Sequence, residues 1–210
     1  MDISESLQPV VLASASPRRR DILTRLGIPF ETRVSGVDEP EISRLSRGDG
    51  DPPGPADLAR ECAVLKARSV GRELAAGTVI GSDTVVAVGA LPLGKPESAD
   101  DARRILSLLS GKVQDVISGI CLIHVPTGIE LSGYDVTRVF TKQMSDRDID
   151  EYIATGECFG KAGAYAIQES GDRFVDRIDG SFDNVVGFPT ELFLKLIAQL
   201  AREVQAEKDR

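Results

Sequence analysis

Val10-Val11-Leu12-Ala13-Ser14-Ala15-Ser16-Pro17-Arg18-Arg19-Arg20 decides the fold class. The apolar run Val10 to Ala13 reads as a short buried strand. Ser16 suits a helix N-cap, where its hydroxyl can accept from a free backbone N–H. Pro17 suits the first helical turn, where its missing N–H costs nothing. The helix carries Ile22, Leu23 and Leu26 on one face and stops at Gly27. A strand that enters a helix through a turn of small residues opens an α/β arrangement.

The same turn carries chemistry. A helix N-terminus bears partial positive charge, so acidic side chains are favoured there. Three arginines, Arg18 to Arg20, occupy it instead. The arrangement becomes favourable when an anion docks at the free N–H groups, since small residues permit close approach and guanidinium forks match phosphate oxygens. The competing reading is a solvated basic helix face paired with surface carboxylates.

Outward from this turn, helices are expected over Asp57–Leu74, Ser98–Leu109, Ser145–Ala154 and Pro189–Val204. Ser98/Asp101 and Ser145/Asp148 resemble capping boxes. Pro40 to Pro55 is rich in Pro, Gly, Asp and Ser and reads as a surface loop. Thr78–Val88 reads as a strand. Asp115–Val125 and Ile129–Phe140 flank the turn Pro126-Thr127-Gly128 and read as an antiparallel pair. Short strands are expected at Ala164–Gln168 and Phe174–Ile178. A hairpin inserted into an alternating α/β order predicts a mixed sheet. The whole chain, 1–210, reads as one domain, with residues 1–8 and 206–210 expected to fray.

Asp83 stands inside the β-rich run Thr78-Val79-Ile80-Gly81-Ser82-Asp83-Thr84-Val85-Val86-Ala87-Val88. Asp is depleted in strands, and a buried unpaired carboxylate is costly. Asp83 therefore needs a metal ion, a lysine or cleft water, and its hard oxygens suit Mg²⁺ or Mn²⁺. A helix-capping or salt-bridging carboxylate is the structural alternative. Glu39, in Gly36-Val37-Asp38-Glu39, is a candidate second metal ligand or water-positioning acid, with an exposed loop acid as the structural alternative. Gly89 to Lys95 matches most of a P-loop, but Pro96 replaces the Mg²⁺-binding hydroxyl and Pro92 removes an N–H from the cradle. Lys95 can still reach a phosphate as a plain charge.

Composition narrows the classes. The 210 residues are 41% hydrophobic and 28% charged, ordinary for a soluble protein. No apolar run approaches the ~18 residues of a membrane span. The N-terminus lacks the basic start of an export signal. A net charge of −8 disfavours broad nucleic-acid binding. Cys62, Cys121 and Cys158 lie far apart, which argues against a disulfide framework and for a reducing, cytoplasmic setting. His124, the single histidine, sits in an apolar stretch and reads as structural rather than as a general base.

Taken in order, several segments resemble the Maf family of nucleotide pyrophosphatases. They are Leu12–Arg19, Val37–Glu39, Lys66–Ala67, Gly81–Val86, Gly94–Pro96, Leu109–Gly111, Lys161–Gln168, Gly180–Ser181 and Asn184–Pro189. The resemblance spans roughly Val10 to Leu200. It implies a long, twisted mixed sheet with flanking helices and two lobes around a cleft. It implies hydrolysis of the α–β phosphoanhydride of a nucleoside triphosphate, a small-molecule substrate, with a divalent metal, Mg²⁺ or Mn²⁺. It also suggests a homodimer.

The resemblance makes Asp83 the catalytic acid/base and sets Ser14, Arg18, Glu39, Lys66 and Lys95 around phosphates and metal, with Asp83 and Glu39 as metal ligands. Arg18, Thr84 and Gln168 match positions that mark a dTTP/UTP-cleaving branch. The Gln168 amide, both donor and acceptor, suits a pyrimidine edge. The family often has His after the Leu-Ser-Gly segment, then Val-x-Thr-Gly; here Gln114, Val116, Ser118 and Gly119 stand there. A nucleotide-binding regulator of cell division without turnover is the alternative function.

Overall fold

The structure, a computed structural model, describes residues 5–37, 53–168 and 170–210. The expected loop from Pro40 to Pro55 and the candidate ligand Glu39 fall largely or wholly outside them. The elements are β1 (Val10–Leu12), α1 (Pro17–Arg25), β2 (Glu31–Thr32), α2 (Pro55–Gly71), β3 (Thr78–Val88) and β4 (Leu91–Leu93). They continue with α3 (Ala99–Leu109), β5 (Val113–His124), β6 (Ile129–Thr141), α4 (Asp146–Ala154), β7 (Val175–Asp179), α5 (Phe182–Val186) and α6 (Thr190–Lys208).

The strands form one mixed sheet in the order β2-β1-β3-β5-β6-β7, with β4 also on β3. β1 runs parallel to β2 and β3, and the remaining pairs are antiparallel. The local signals behave as their chemistry requires. Ser16 accepts from the Arg19 N–H with Pro17 in the first turn. Ser145 and Asp148 form a reciprocal capping box at α4. The P-loop lookalike is a tight β3–β4 hairpin, with Val88 paired to Leu91 across Gly89-Ala90.

Strand periodicity divides the sheet into two faces. Val79, Val85, Ala87, Ile117 and Cys121 meet Leu58, Ala59, Cys62, Ala63, Ala67 and Val70 of α2. On the other face Ile80, Ile120 and Leu122 pack with Ile22 and Leu23 of α1 and with Phe193, Ile197 and Leu200 of α6. Further along that face, Val86, Val116 and Val139 pack with Ile105, Leu106 and Leu109 of α3 and with Ile149 and Tyr152 of α4. Between these two apolar clusters lie the polar residues Ser82, Thr84 and Ser118, spanned by α5 and the Gly187 turn.

Two glycines set how closely α2 approaches. A Cβ on Gly81 would fall 2.1 Å from the Ala63 carbonyl oxygen, and one on Gly119 would fall 2.1 Å from that of Ala59. The bare backbone at both positions, with Ala59, Ala63 and Ala67 opposite, seats the helix directly on β3 and β5.

The segment Ala164–Gln168 is not a strand. Gly163 at φ 74° and Ala164 at φ 58° turn the chain through a 3₁₀ element, Ala162–Ala164, and Ile167 and Gln168 lie in a further turn. The left-handed backbone breaks the extended run that its apolar residues suggest. His124 is buried: its Nε2–H donates to the Ser6 carbonyl at 3.1 Å, and Nδ1 accepts from the Thr127 hydroxyl at 2.8 Å. Among the described residues no helix is long and apolar enough to cross a membrane.

Candidate active site

Along one edge of β3, β1 pairs with Thr78–Ile80 and β4 pairs with Val86–Val88. Among the described residues no strand pairs with Gly81–Val85 on that edge. The cleft opens at this interruption, where the chain leaves β1 and enters α1, a usual place for ligands at the carboxyl ends of strands. It consists of two adjoining chambers of about 430 and 400 Å³ that share Ser14, Lys66, Asp83, Thr84 and Lys95. Arg18, Arg19, Lys161, Tyr165 and Gln168 line the first. Val34, Leu58, Val85 and Leu93 make the second more apolar.

Asp83 projects from the α2 side of β3, and the Lys66 ammonium donates to its Oδ1 in a short ion pair. Both side chains are 19% exposed, so the pair is sheltered yet open to the cleft. The close seating of α2 on Gly81 and Gly119 brings Lys66 within reach. Cys62 lies one turn before Lys66 on α2; burial and the nearby Asp83 charge push its thiol up to about 12, which leaves it protonated and inert.

Arg19 organises the opposite wall. Its Nε donates to the Gly187 carbonyl at 2.8 Å, Nη1 to Ser14 Oγ at 3.1 Å and Nη2 to Thr84 Oγ1 at 3.2 Å. It thereby ties the β1–α1 turn, β3 and the turn after α5 together. Burial lowers its pKa, with Asp83 opposing and Arg18 adding to the shift. Arg18 lines the cleft one position earlier and Arg20 is exposed. The three arginines therefore divide into an anchor, a cleft residue and a solvated residue.

The cleft brings together Ser14, Arg18, Lys66, Asp83, Thr84, Lys95 and Gln168, all expected from the sequence. Gln168 lies exposed in a turn at the rim. Sequence reasoning alone did not single out Arg19, Lys161 or Tyr165. The Pro-Arg-Arg-Arg cluster and the Lys161–Gln168 segment hold them, but no spacing says which side chain turns inward. Tyr165 is buried against Gln114, whose Nε2 donates to its hydroxyl at 2.8 Å. Burial raises the Tyr165 pKa, so the hydroxyl stays neutral. No group of three His, Cys, Asp or Glu side chains suited to a metal occurs among the described residues.

Residues 9–200 match the family described as Maf-like protein. A protein from Thermococcus onnurineus named dTTP/UTP pyrophosphatase is 48% identical over 187 residues, covering 89% of this chain and 95% of its own. Proteins of the same name from Ruminiclostridium cellulolyticum and Deinococcus radiodurans are 39% and 40% identical. They cover 94% and 92% of this chain and 99% and 94% of their own.

Proposed function

The chain belongs to the Maf family, and we propose that it hydrolyses dTTP and UTP to the nucleoside monophosphate and diphosphate. The observation that carries this reading is the Lys66–Asp83 pair on the floor of a cationic cleft beside the N-terminus of α1. Asp83 is the only acidic side chain lining the described cleft, against Arg18, Arg19, Lys66, Lys95 and Lys161. Such a surface selects a polyanion and leaves one carboxylate to handle a proton.

In this mechanism Asp83 takes a proton from a water molecule as the water oxygen attacks the α-phosphorus. The bond from that phosphorus to the bridging oxygen breaks, and diphosphate leaves with the electron pair. Lys66 has further N–H donors beyond the one given to Asp83, so it can hold Asp83 and stabilise a phosphoryl oxygen together. Arg18 and Lys95 hold the remaining phosphates.

A divalent cation of the Mg²⁺ or Mn²⁺ kind would be held here by Asp83 together with the substrate phosphates. Mg²⁺ is commonly held by one or two carboxylates with substrate phosphates rather than by a full protein cage, and Asp83 supplies such a carboxylate. Glu39 is proposed as the second. Bound there, the metal supplies charge neutralisation for the triphosphate. The three cysteines, all free and buried, support a reducing setting such as the cytoplasm.

The test is diphosphate release from a panel of nucleoside triphosphates by the purified protein and by Asp83→Asn. Turnover of dTTP and UTP is expected, with a loss of at least ~10² in the variant. Nucleotide binding without turnover would replace this reading with that of a regulator.

A further inference from the structure

The polar strip between the two apolar clusters has a fixed direction of hydrogen bonding. Thr84 and Ser118 are cross-strand partners on β3 and β5, and their hydroxyl oxygens lie 2.9 Å apart. Ser118 is fully buried, and its Oγ also lies 2.9 Å from the Asn184 carbonyl oxygen. A carbonyl can only accept, so the single hydroxyl hydrogen of Ser118 goes to Asn184. Ser118 must then accept from Thr84. The other acceptor near Thr84, the Gly187 carbonyl at 3.4 Å, also lies within the protein and already takes Arg19 Nε–H. In either case the Thr84 hydrogen points inward. One Thr84 lone pair takes Arg19 Nη2–H and the second is left for the cleft that Thr84 lines. Toward a ligand, Thr84 is therefore an acceptor and not a donor.

Arg19 supplies the complementary half. It is 9% exposed and has five N–H groups. Three donate to Gly187, Ser14 and Thr84, and the other two have no acceptor among the described residues. A cationic donor next to a fixed acceptor matches the imide edge of uracil and thymine, with a carbonyl O4 beside an N3–H. Cytosine presents the reverse, an amino group beside a bare ring nitrogen.

We propose that Ser118, through Thr84, is the positioning residue that makes the cleft prefer uracil and thymine nucleotides over cytosine nucleotides. The inference rests on the reading that a pyrimidine nucleoside triphosphate occupies this cleft. It adds a residue that does not touch the substrate and a reason for rejecting cytosine. A site built around defined hydrogen bonds penalises a ligand that reverses them, because buried groups are left unpaired.

The experiment compares kcat/KM for UTP and CTP in the wild type, Ser118→Ala and Thr84→Val, with Tm measured for each. The wild type should favour UTP by at least ~10-fold. In Ser118→Ala the Thr84 hydrogen loses its near acceptor at 2.9 Å and keeps only the Gly187 carbonyl at 3.4 Å, which Arg19 already occupies, so it can turn to the cytosine ring nitrogen. The UTP-to-CTP ratio should then fall by roughly 3- to 10-fold, with part of the change coming from faster CTP turnover. Thr84→Val should lower the ratio through UTP alone, since no hydroxyl remains to serve cytosine.

Equal use of UTP and CTP by the wild type, or an unchanged ratio in a folded Ser118→Ala, overturns the inference. Loss of stability without a change in ratio marks Ser118 as purely structural. Should Ser118→Ala not fold, the wild-type ratio and Thr84→Val decide, and a ratio unmoved by Thr84→Val overturns the inference. A wild type that cleaves no triphosphate defeats the functional reading itself, whereas one that cleaves UTP and CTP equally defeats only this proposal.

Discussion

Gly119 stands directly opposite Asp83 on the neighbouring strand, and its missing side chain lets α2 settle low enough for Lys66 to reach that carboxylate. Gly119→Ala puts a methyl group against a helix carbonyl that cannot swing aside. Overpacking of this kind costs about 1–3 kcal/mol, and it should lift Lys66 away from Asp83 as well. Thermal unfolding should show a lower Tm, and the fraction that remains folded should turn over more slowly. An unshifted Tm would mean that α2 can move outward at no cost.

Arg18 and Arg19 are adjacent but should respond differently to alanine. Arg18→Ala should remove the phosphate contact proposed for it, raising KM and leaving unliganded stability unchanged or slightly higher. Arg19→Ala removes three bonds that join separate parts of the chain, so stability should fall by about 2 kcal/mol or more. Denaturant titration of both variants, alongside kinetics, checks the division. Equal stability in the two would refute the anchoring role.

Gln168 is exposed at the rim, so its amide is less tightly held than Thr84. Gln168→Ala should lower kcat/KM for dTTP and UTP and flatten discrimination among bases, by about 1 kcal/mol, the low end of a lost hydrogen bond. Undiminished discrimination would place base choice wholly on other residues.

His124 is held neutral: burial lowers its pKa, and it lies outside the cleft. The unfolded chain binds a proton at this residue near pH 6.5 and the folded chain only below that. Stability from this group is therefore full above about pH 6.5 and falls as pH drops toward the lowered folded value. Replacing His124 with Gln should flatten that part of the stability–pH curve and leave the pH–rate profile unchanged. A shift in the rate profile would contradict its structural role.

Strong local chemistry made much of this legible in advance. The β-branched run Thr78–Val88 is a strand with the bounds its composition gives, and Asp83 is conspicuous because a carboxylate is out of place there. Ser16 and Ser145 mark helix starts through bonds their own side chains make. What depends on phase or on distant partners was not legible. Which of Arg18, Arg19 and Arg20 turns inward follows from the rotation of α1 against the sheet, and that is set by packing of Ile22 and Leu23. The Ala164–Gln168 segment has the composition of a strand, but the left-handed backbone at Gly163 and Ala164 decides its path. Nothing in the spacing of Gly81 and Gly119 names the helix they admit.

The placement of charge also shapes how substrate finds the cleft. The chain as a whole carries −8, yet the first chamber gathers five basic side chains around one acidic one. A triphosphate approaching from afar meets a repelling field, and only within a few ångströms of the mouth does the attraction take over. Salt screens over about 8–10 Å at ordinary ionic strength, so it weakens the distant repulsion more than the contact attraction. The two effects oppose one another in the encounter rate. That rate should consequently vary little with ionic strength, in contrast to the steep fall shown by basic proteins that collect anions over their whole surface.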